Sequence, residues 1–218
     1  EIVRTMASRD PNDTQLMRDI IVSTNKTGNV LRDAGDLDAA GKAFAESLVA
    51  VRALAARDPA NADWQRDLSV TLEKVADVER EKGNLKRALA GFEESLIIVR
   101  RLAASDPGNA DWQRDLSITL AEIGNLQLDL KDRGAARDAL EECLAIREAL
   151  AASDPGNALW QRDLIIAYAD IAMVSRTPRQ PLEKALAIAE ALDAEGRLPP
   201  RHRWMIDQLK TRLARLKN

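Results

Sequence analysis

The stretch SDPGNADWQRDLS at residues 105–117 decides the fold, because it returns elsewhere in the chain at regular intervals. RDPANADWQRDLS stands at 57–69 and SDPGNALWQRDLI at 153–165, which is a constant step of 48. A diverged copy, RDPNDTQLMRDII, stands at 9–21, with Leu16 in the place of the tryptophan. A period of this length indicates a repeat architecture, in which each unit stacks on its neighbours.

Each unit divides into two helical stretches. After Asn61, a residue type that caps helix N-termini, apolar side chains recur with helical spacing as far as Gly83-Asn84. A second such stretch starts at Leu85 and ends before Asp106-Pro107, because a residue that precedes proline is disfavoured in the α-helical region. The sequence therefore predicts a hairpin of two helices of about 20 residues, each roughly 30 Å long.

Composition agrees with long helices and limits the functional classes. Ala, Leu, Lys, Arg and Glu make up about half of the 218 residues, and all five residue types favour helices. The formal net charge of -3 provides no general positive field for a phosphate backbone, so nucleic-acid binding is disfavoured. No apolar run approaches the ~20 residues that span a membrane, so no membrane partner is expected.

The inventory of reactive side chains argues against catalysis. The chain has one histidine, His202, and one cysteine, Cys143, and it has no glycine-rich phosphate loop. We therefore predict a protein that is not an enzyme and that has no metal site and no cofactor. A lone cysteine fits a reducing compartment, and we expect a cytoplasmic protein of bacterial origin.

The units resemble the tetratricopeptide repeat. In order, the first unit matches the family pattern at Gly28, Gly35-Asp36-Leu37, Ala40, Phe44 and Ser47. The third unit has Lys131 where the family has its turn glycine. The family repeat has about 34 residues, so each unit here adds close to two turns to each helix and prolongs the same packing stripes. The resemblance implies an all-α, right-handed α-solenoid of stacked antiparallel helical hairpins with a C-terminal capping helix.

We predict one solenoid domain over residues 1–218. Its parts are the end of a preceding repeat at 1–9, repeats at 10–57, 58–105 and 106–153, an atypical fourth repeat at 154–198 and a capping helix at 199–218. The capping helix should bury Trp204, Met205, Leu209, Leu213 and Leu216. Because the first residues align with second helices of later units, the natural protein is expected to continue further at its N-terminus.

The first helices carry the candidate binding residues. Arg66 lies roughly 200° around its helix from Trp64, on the side opposite the core. The resemblance implies that such side chains line a concave ligand groove. The candidate partner-binding residues are Arg18, Asn25, Asn29, Arg32, Arg66, Glu73, Asp77, Arg80, Arg114 and Asn125. An alternative interpretation is a structural ladder, in which Arg66 pairs with Asp67 or with Asp115 of a neighbouring repeat.

The charges of this groove narrow the class of partner. One well-defined groove of the family binds chaperone C-termini through lysines and asparagines, but here Asn25 replaces the first lysine and Glu122 has the wrong sign. We therefore predict a scaffold for protein–protein interaction that binds a peptide or protein on the concave face, as a fragment of a larger multidomain regulatory protein. The alternatives are a structural spacer or a homo-oligomerisation module that uses exposed repeat ends, and, less favoured, nucleic-acid binding by the basic capping helix.

Overall fold

The computed structural model describes residues 14–216, and this range is helical without a strand. The α-helices in this range are α1 Thr14–Asp33, α2 Leu37–Arg57, α3 Ala62–Glu81, α4 Leu85–Ser105, α5 Ala110–Asp129, α6 Arg133–Ser153, α7 Ala158–Val174, α8 Arg179–Ala194 and α9 Trp204–Arg215. A short 3-10 helix, Pro200–His202, precedes α9. The all-α class and the helical hairpins are confirmed. The predicted end of a preceding repeat at 1–9 lies outside the described residues.

The helix boundaries follow the sequence repeat. The first helices of three units begin at Ala62, Ala110 and Ala158, at the same step as the sequence motif. The helices α3 to α6 have 20 or 21 residues, as expected, whereas α7 and α8 of the atypical unit have 17 and 16. Each long helix therefore has the length that the spacing of the apolar residues predicts.

Asparagine caps the first helix of three units. The Asn61 side chain accepts a hydrogen bond of 3.1 Å from the backbone N–H of Trp64. Asn109 does the same for Trp112 at 3.2 Å, and Asn157 repeats the contact in the next unit. Such a cap satisfies a backbone donor that the helix itself cannot pair. The predicted helix starts are confirmed at these three positions.

Contacts divide the chain into two compact units, which separate between Asp106 and Pro107. In the first unit, α1–α2 and α3–α4 form hairpins, and α2 packs on α3. In the second unit, α5–α6 and α7–α8 form hairpins, α6 packs on α7, and α9 packs on α8. In both units the second helix of one hairpin packs against the first helix of the next hairpin. Repeat hairpins need this stacking to bury both of their faces. No described helix has the length and apolarity needed to cross a membrane.

Both units have buried apolar cores. In the first unit, Trp64 is half-buried and packs against a cluster that includes Met17, Ile21 and Leu54. In the second unit, one continuous cluster extends from Ala136 to the capping helix.

The capping helix buries fewer residues than expected. Met205, Leu209 and Leu213 are buried, but Trp204 is 55% exposed and Leu216 is 41% exposed, so the prediction was wrong for these two. A terminal helix packs through a narrow stripe of positions i, i+4 and i+8, and residues to the side of that stripe remain in solvent.

Candidate partner-binding surface

Polar side chains join the first helices of neighbouring repeats in the first unit. Arg18 of α1 lies 3.9 Å from the carboxylate of Asp67 on α3. Further along the two helices, Arg32 lies 3.5 Å from Asp77 and 3.9 Å from Glu81. We call this row of contacts between α1 and α3 the α1–α3 seam. Its two ends are ion pairs between neighbouring repeats.

The middle of the α1–α3 seam is formed by uncharged amides and one lysine. The Asn25 amide donates a hydrogen bond of 3.4 Å to Thr71 Oγ1, and Lys74 Nζ donates one of 3.2 Å to Asn29 Oδ1. Lys74 also lies 5.7 Å from the centre of the Phe44 ring. Burial and the nearby guanidinium of Arg32 lower the pKa of Lys74. The seam therefore holds a partly desolvated cation between its two ion pairs.

Two further candidate residues contact their own hairpin. Ser95 Oγ of α4 donates a hydrogen bond of 2.9 Å to the Glu73 carboxylate. Arg80 binds Asp77 at 2.7 Å and lies 5.9 Å from the centre of the Phe92 ring. These contacts hold both side chains in a defined position beside the α1–α3 seam.

The second unit has a corresponding α5–α7 seam, and its ion pair is less exposed to solvent. Arg114 Nε lies 2.6 Å from the carboxylate of Asp163, whose side chain is 9% exposed. Arg162 approaches the same carboxylate at 3.7 Å. Arg147, which is buried, donates to the Asp163 backbone carbonyl at 2.9 Å and to Ser117 Oγ at 3.3 Å. Three guanidinium groups therefore surround one aspartate.

A second aspartate on α7 is poorly solvated. The Asn125 amide hydrogen-bonds to Asp170, but the buried Oδ2 of Asp170 has no hydrogen-bond partner among the described residues. Burial raises the pKa of Asp170 to about 6, although the charge of Arg147 and the Asn125 hydrogen bond oppose this shift. Asp170 therefore takes up a proton at a higher pH than an exposed aspartate does.

The predicted site residues are thus brought together mostly by pairing between repeats. The Arg–Asp ladder is present at Arg18–Asp67 and at Arg114–Asp163, and in both pairs the aspartate belongs to the first helix of the next repeat. Arg66 lies near Asp67, where its charge and that of Arg18 oppose the effect of burial, which raises the Asp67 pKa. Contact of these residues with a partner stays a prediction.

Sequence reasoning missed several residues of the seams. Lys74 and Asp170 were not among the candidates, although both contact residues that were. Arg147 was missed as well, and here a signal existed. The equivalent positions of the two preceding repeats hold Val99 and Val51. In the third repeat, a charged residue therefore occupies a position that is otherwise apolar.

The described residues show no catalytic arrangement of Cys143. This thiol is buried, and burial raises its pKa to about 11, which disfavours the reactive thiolate. Within residues 14–216, no group of three His, Cys, Asp or Glu side chains is arranged to hold a metal ion.

Comparison with known proteins identifies the fold. No protein-family model matches the chain, and no curated protein sequence matches it. Among solved structures, BtubC (BKLC) from P. vanneervenii has a TM-score of 0.61 at 14% identity, over 99% of this chain and 85% of its own. A putative kinesin light chain from P. anserina with nearly identical TPR-like repeats has a TM-score of 0.54 at 14% identity, over 91% and 97%.

The apo form of RapI is a third similar structure, with a TM-score of 0.53 at 12% identity over 97% of this chain and 69% of RapI. Sequence identities this low establish similarity of the fold alone. With its repeated hairpins, its capped first helices and these structural relatives, the chain is a helical repeat protein with the tetratricopeptide-repeat-like fold.

Proposed function

We propose that this chain is a non-catalytic scaffold for protein–protein interaction, that it is part of a larger regulatory protein, and that a peptide or protein partner binds across α1 and α3. The observation that carries the proposal is the α1–α3 seam. Its two ends are ion pairs with uncharged amides and Lys74 between them, and the paired side chains remain accessible: Arg18 and Asp67 are 44% and 42% exposed, and Arg32 and Asp77 are 28% and 26% exposed.

The α1–α3 seam suits recognition better than stability. An ion pair this exposed contributes only about 0–1 kcal/mol to stability. Contacts between repeats nevertheless hold the polar groups in place before a partner arrives, which reduces the entropy lost on binding. A preformed row of donors and acceptors can pair with the backbone and side chains of a bound segment.

The experiment selects ligands without assuming their identity. Peptides from a random displayed library are selected on the whole chain, and the affinity of each is then measured for variants. Arg18→Ala combined with Arg32→Ala should weaken binding by about tenfold, which corresponds to about 1.4 kcal/mol. Melting temperatures should stay close to that of the parent chain, because both arginines are partly exposed.

Arg52→Ala is the matched control. Arg52 lies on the second helix α2, is 49% exposed and pairs with Glu94 at 2.7 Å, so it resembles the seam arginines in exposure and pairing. We expect its removal to leave the affinity within about twofold. Equal losses in the control and in the double variant, or failure to select any peptide, would contradict the proposal.

Self-association is a second candidate function, favoured by one observation on the second helices of the first unit. Val49 and Ile97 occupy equivalent positions on α2 and α4 and are 73% and 72% exposed. Exposed apolar side chains in register are one feature of oligomer contacts. Light scattering over a hundredfold range of concentration tests it: a dimer that dissociates in the Val49→Lys, Ile97→Lys variant supports self-association, and a monomer throughout contradicts it.

A further inference from the structure

The C-terminal segment, which contains Pro200–His202 and α9, has basic side chains on two sides. Those on the α8 side form ion pairs with carboxylates of α8. Arg203 Nε lies 2.6 Å from the carboxylate of Asp193, and Lys210 Nζ lies 2.8 Å from that of Glu190. These two ion pairs attach the segment to the preceding helix. Arg203 and Lys210 therefore already have counter-charges within the chain.

On the α7 side, two cations converge on the single histidine. Arg201 Nε and Arg162 Nη1 each lie 3.3 Å from His202 Nε2. A guanidinium can only donate, so Nε2 must accept and the imidazole is neutral in this arrangement. Within residues 14–216, no carboxylate is paired with Arg201, and the one near Arg162 is Asp163 at 3.7 Å, which already binds Arg114 at 2.6 Å. This cluster has an excess of positive charge.

Side-chain contacts between α7 and the segment that contains α9 follow the same order along both, so the two helices run in the same direction. Arg162 meets His202 near the start of both elements, and further along Arg212 Nη2 donates a hydrogen bond of 2.9 Å to the Ala169 carbonyl. Beyond that contact, an open cavity of about 550 Å³ is lined by Met173, Gln208, Thr211, Arg212 and Arg215. No carboxylate in the described part of the chain is paired with Arg215.

The two basic ends of this surface are separated by the length of a short peptide. From His202 to Arg215 the chain advances about 20 Å at roughly 1.5 Å per residue. An extended peptide covers this distance with about six residues at roughly 3.3 Å each. At the Arg215 end, Met173 is 46% exposed, so the cavity offers an apolar contact beside the basic side chains.

We propose that the α7–α9 surface, formed by Arg162, Arg201, His202, Met173, Arg212 and Arg215, binds an extended acidic peptide. Carboxylates near its two ends pair with the guanidinium groups, and an apolar side chain that precedes the second acidic end enters the cavity beside Arg212 and Arg215. This inference rests on the proposed scaffold function and names the chemistry of one partner segment. A carboxylate of the peptide beside Arg162 and Arg201 supplies the counter-charge that no described carboxylate gives to Arg201.

RNA fits the same surface less well. A phosphate backbone carries a charge on every nucleotide, so its middle part would pass Asp170, which lies on α7 between the basic ends and interacts with the charge of Arg212. A peptide can instead place its charges at the ends and an apolar side chain in the middle. Charge complementarity therefore favours a peptide.

The test uses the whole chain and the blocked peptide Glu-Glu-Ser-Leu-Ser-Glu-Glu, with binding followed by fluorescence anisotropy and calorimetry. Arg201→Ala with Arg215→Ala should weaken binding by about tenfold. The matched control is Arg203→Ala with Lys210→Ala, which removes the same charge from the same segment but from the α8 side. It should leave the affinity within about twofold. All four side chains are exposed, and melting temperatures check that both variants stay folded.

The lone histidine gives a second readout. Because the chain has one histidine, its imidazole proton resonances report on this site without ambiguity. Without a ligand, burial and the charges of Arg162 and Arg201 lower the pKa of His202. Carboxylates of a bound peptide should raise this pKa, since they favour the imidazolium, and a peptide with Gln in place of Glu should not raise it.

Several outcomes would overturn the inference. These are no binding of the acidic peptide, an equal loss in the two double variants, or a His202 pKa that the peptide leaves unchanged. An equal pKa shift with inorganic phosphate at the same ionic strength would assign a site for small anions instead. Displacement of the peptide by an oligouridine with steep salt dependence would assign RNA. Peptides selected on the α1–α3 seam would still depend on Arg32 in each case, so the two proposals fail separately.

Discussion

Lys131 has a backbone conformation that the other repeats assign to glycine. Its φ is 68°, whereas Gly35 and Gly83 at the equivalent turns have φ of 83° and 81°. The left-handed region costs a side chain with a Cβ about 1 kcal/mol or more. We expect Lys131→Gly to raise the free energy of unfolding by about 0.5–1 kcal/mol in urea denaturation. The reverse change, Gly83→Ala, should lower it, and destabilisation by Lys131→Gly would contradict the prediction.

Gly28 shows a second constraint on a single residue. A Cβ at this position would lie 2.5 Å from the ring of Phe44, which is fully buried and cannot move away. We expect Gly28→Ala to lower the free energy of unfolding by about 1–2 kcal/mol, even after the gain in helix propensity.

Gly41→Ala is the control for this change. Gly41 also lies inside a helix, but there a Cβ would be 3.4 Å from its nearest neighbours. The alanine should therefore raise the free energy of unfolding by about 0.5–1 kcal/mol, which thermal denaturation of both variants can check. Equal signs for the two substitutions would show that close packing at Phe44 does not decide the outcome.

Asp170 predicts a pH dependence of stability. Its folded pKa of about 6 lies above the usual value of 3.8, so the folded state binds the proton more tightly than the unfolded state. This group's contribution is therefore most favourable below pH 4 and is lost as the pH rises through about 6. Over that window the loss is about 2–3 kcal/mol.

Asp170→Asn should remove this contribution. The asparagine oxygen can still accept the hydrogen bond from Asn125, and the side chain is uncharged at every pH. Urea denaturation at pH 5 and pH 7.5 should show a smaller difference between the two pH values for the variant than for the parent chain. The same difference in both proteins would assign the pH dependence to other groups.

At the scale of elements, equivalent arginines contribute differently because their partners differ in burial. Arg114 binds the nearly buried Asp163 at 2.6 Å, whereas Arg18 lies 3.9 Å from Asp67 and both partners are more than two-fifths exposed. Removing one partner of a buried pair leaves an uncompensated charge. We expect Arg114→Ala to lower the free energy of unfolding by about 1–3 kcal/mol, because Arg162 and Arg147 still compensate part of the charge.

Arg18→Ala is expected to cost less than about 0.5 kcal/mol, as an exposed ion pair does. Denaturant titrations of the two variants measure the difference directly. A cost at Arg18 as large as that at Arg114 would show that repeat position, not burial of the aspartate, sets the strength of the pair.

The elements themselves were largely predictable from the sequence. Asn61, Asn109 and Asn157 determine where first helices begin, and Gly83 determines a turn, because capping and left-handed turns are local interactions. The sides of the helices were less predictable. Trp204 was placed on a buried face by its apolar character, but it lies in solvent because no further helix of the described chain covers the outer side of α9.

At the scale of the molecule, contacts within each unit are local in sequence. In the described residues, the helix pairs with extensive contacts are consecutive along the chain, and α5 also touches α7. A chain that closes only short loops folds quickly. We expect the main refolding phase to take milliseconds or less. The fluorescence of Trp64, Trp112 and Trp160 monitors this phase in a stopped-flow experiment.

Refolding after a brief unfolding pulse controls for the eight prolines, which keep their native isomers for seconds. A main phase of seconds under these conditions would contradict local folding. It would point to a contact between distant parts of the chain that forms late.

The sequence by itself determined the repeat and the tetratricopeptide-like fold, because the same motif recurs every 48 residues. It also determined the helix lengths and the caps, because these depend on residues at most a few turns apart. Only the tertiary structure decided what the polar first-helix residues contact. Whether Arg18 and Arg114 meet an aspartate, and how well water reaches that pair, depends on two helices that belong to different repeats. The convergence of Arg162 and Arg201 on His202 likewise arises from packing, since charge, burial and distance are set together when helices meet.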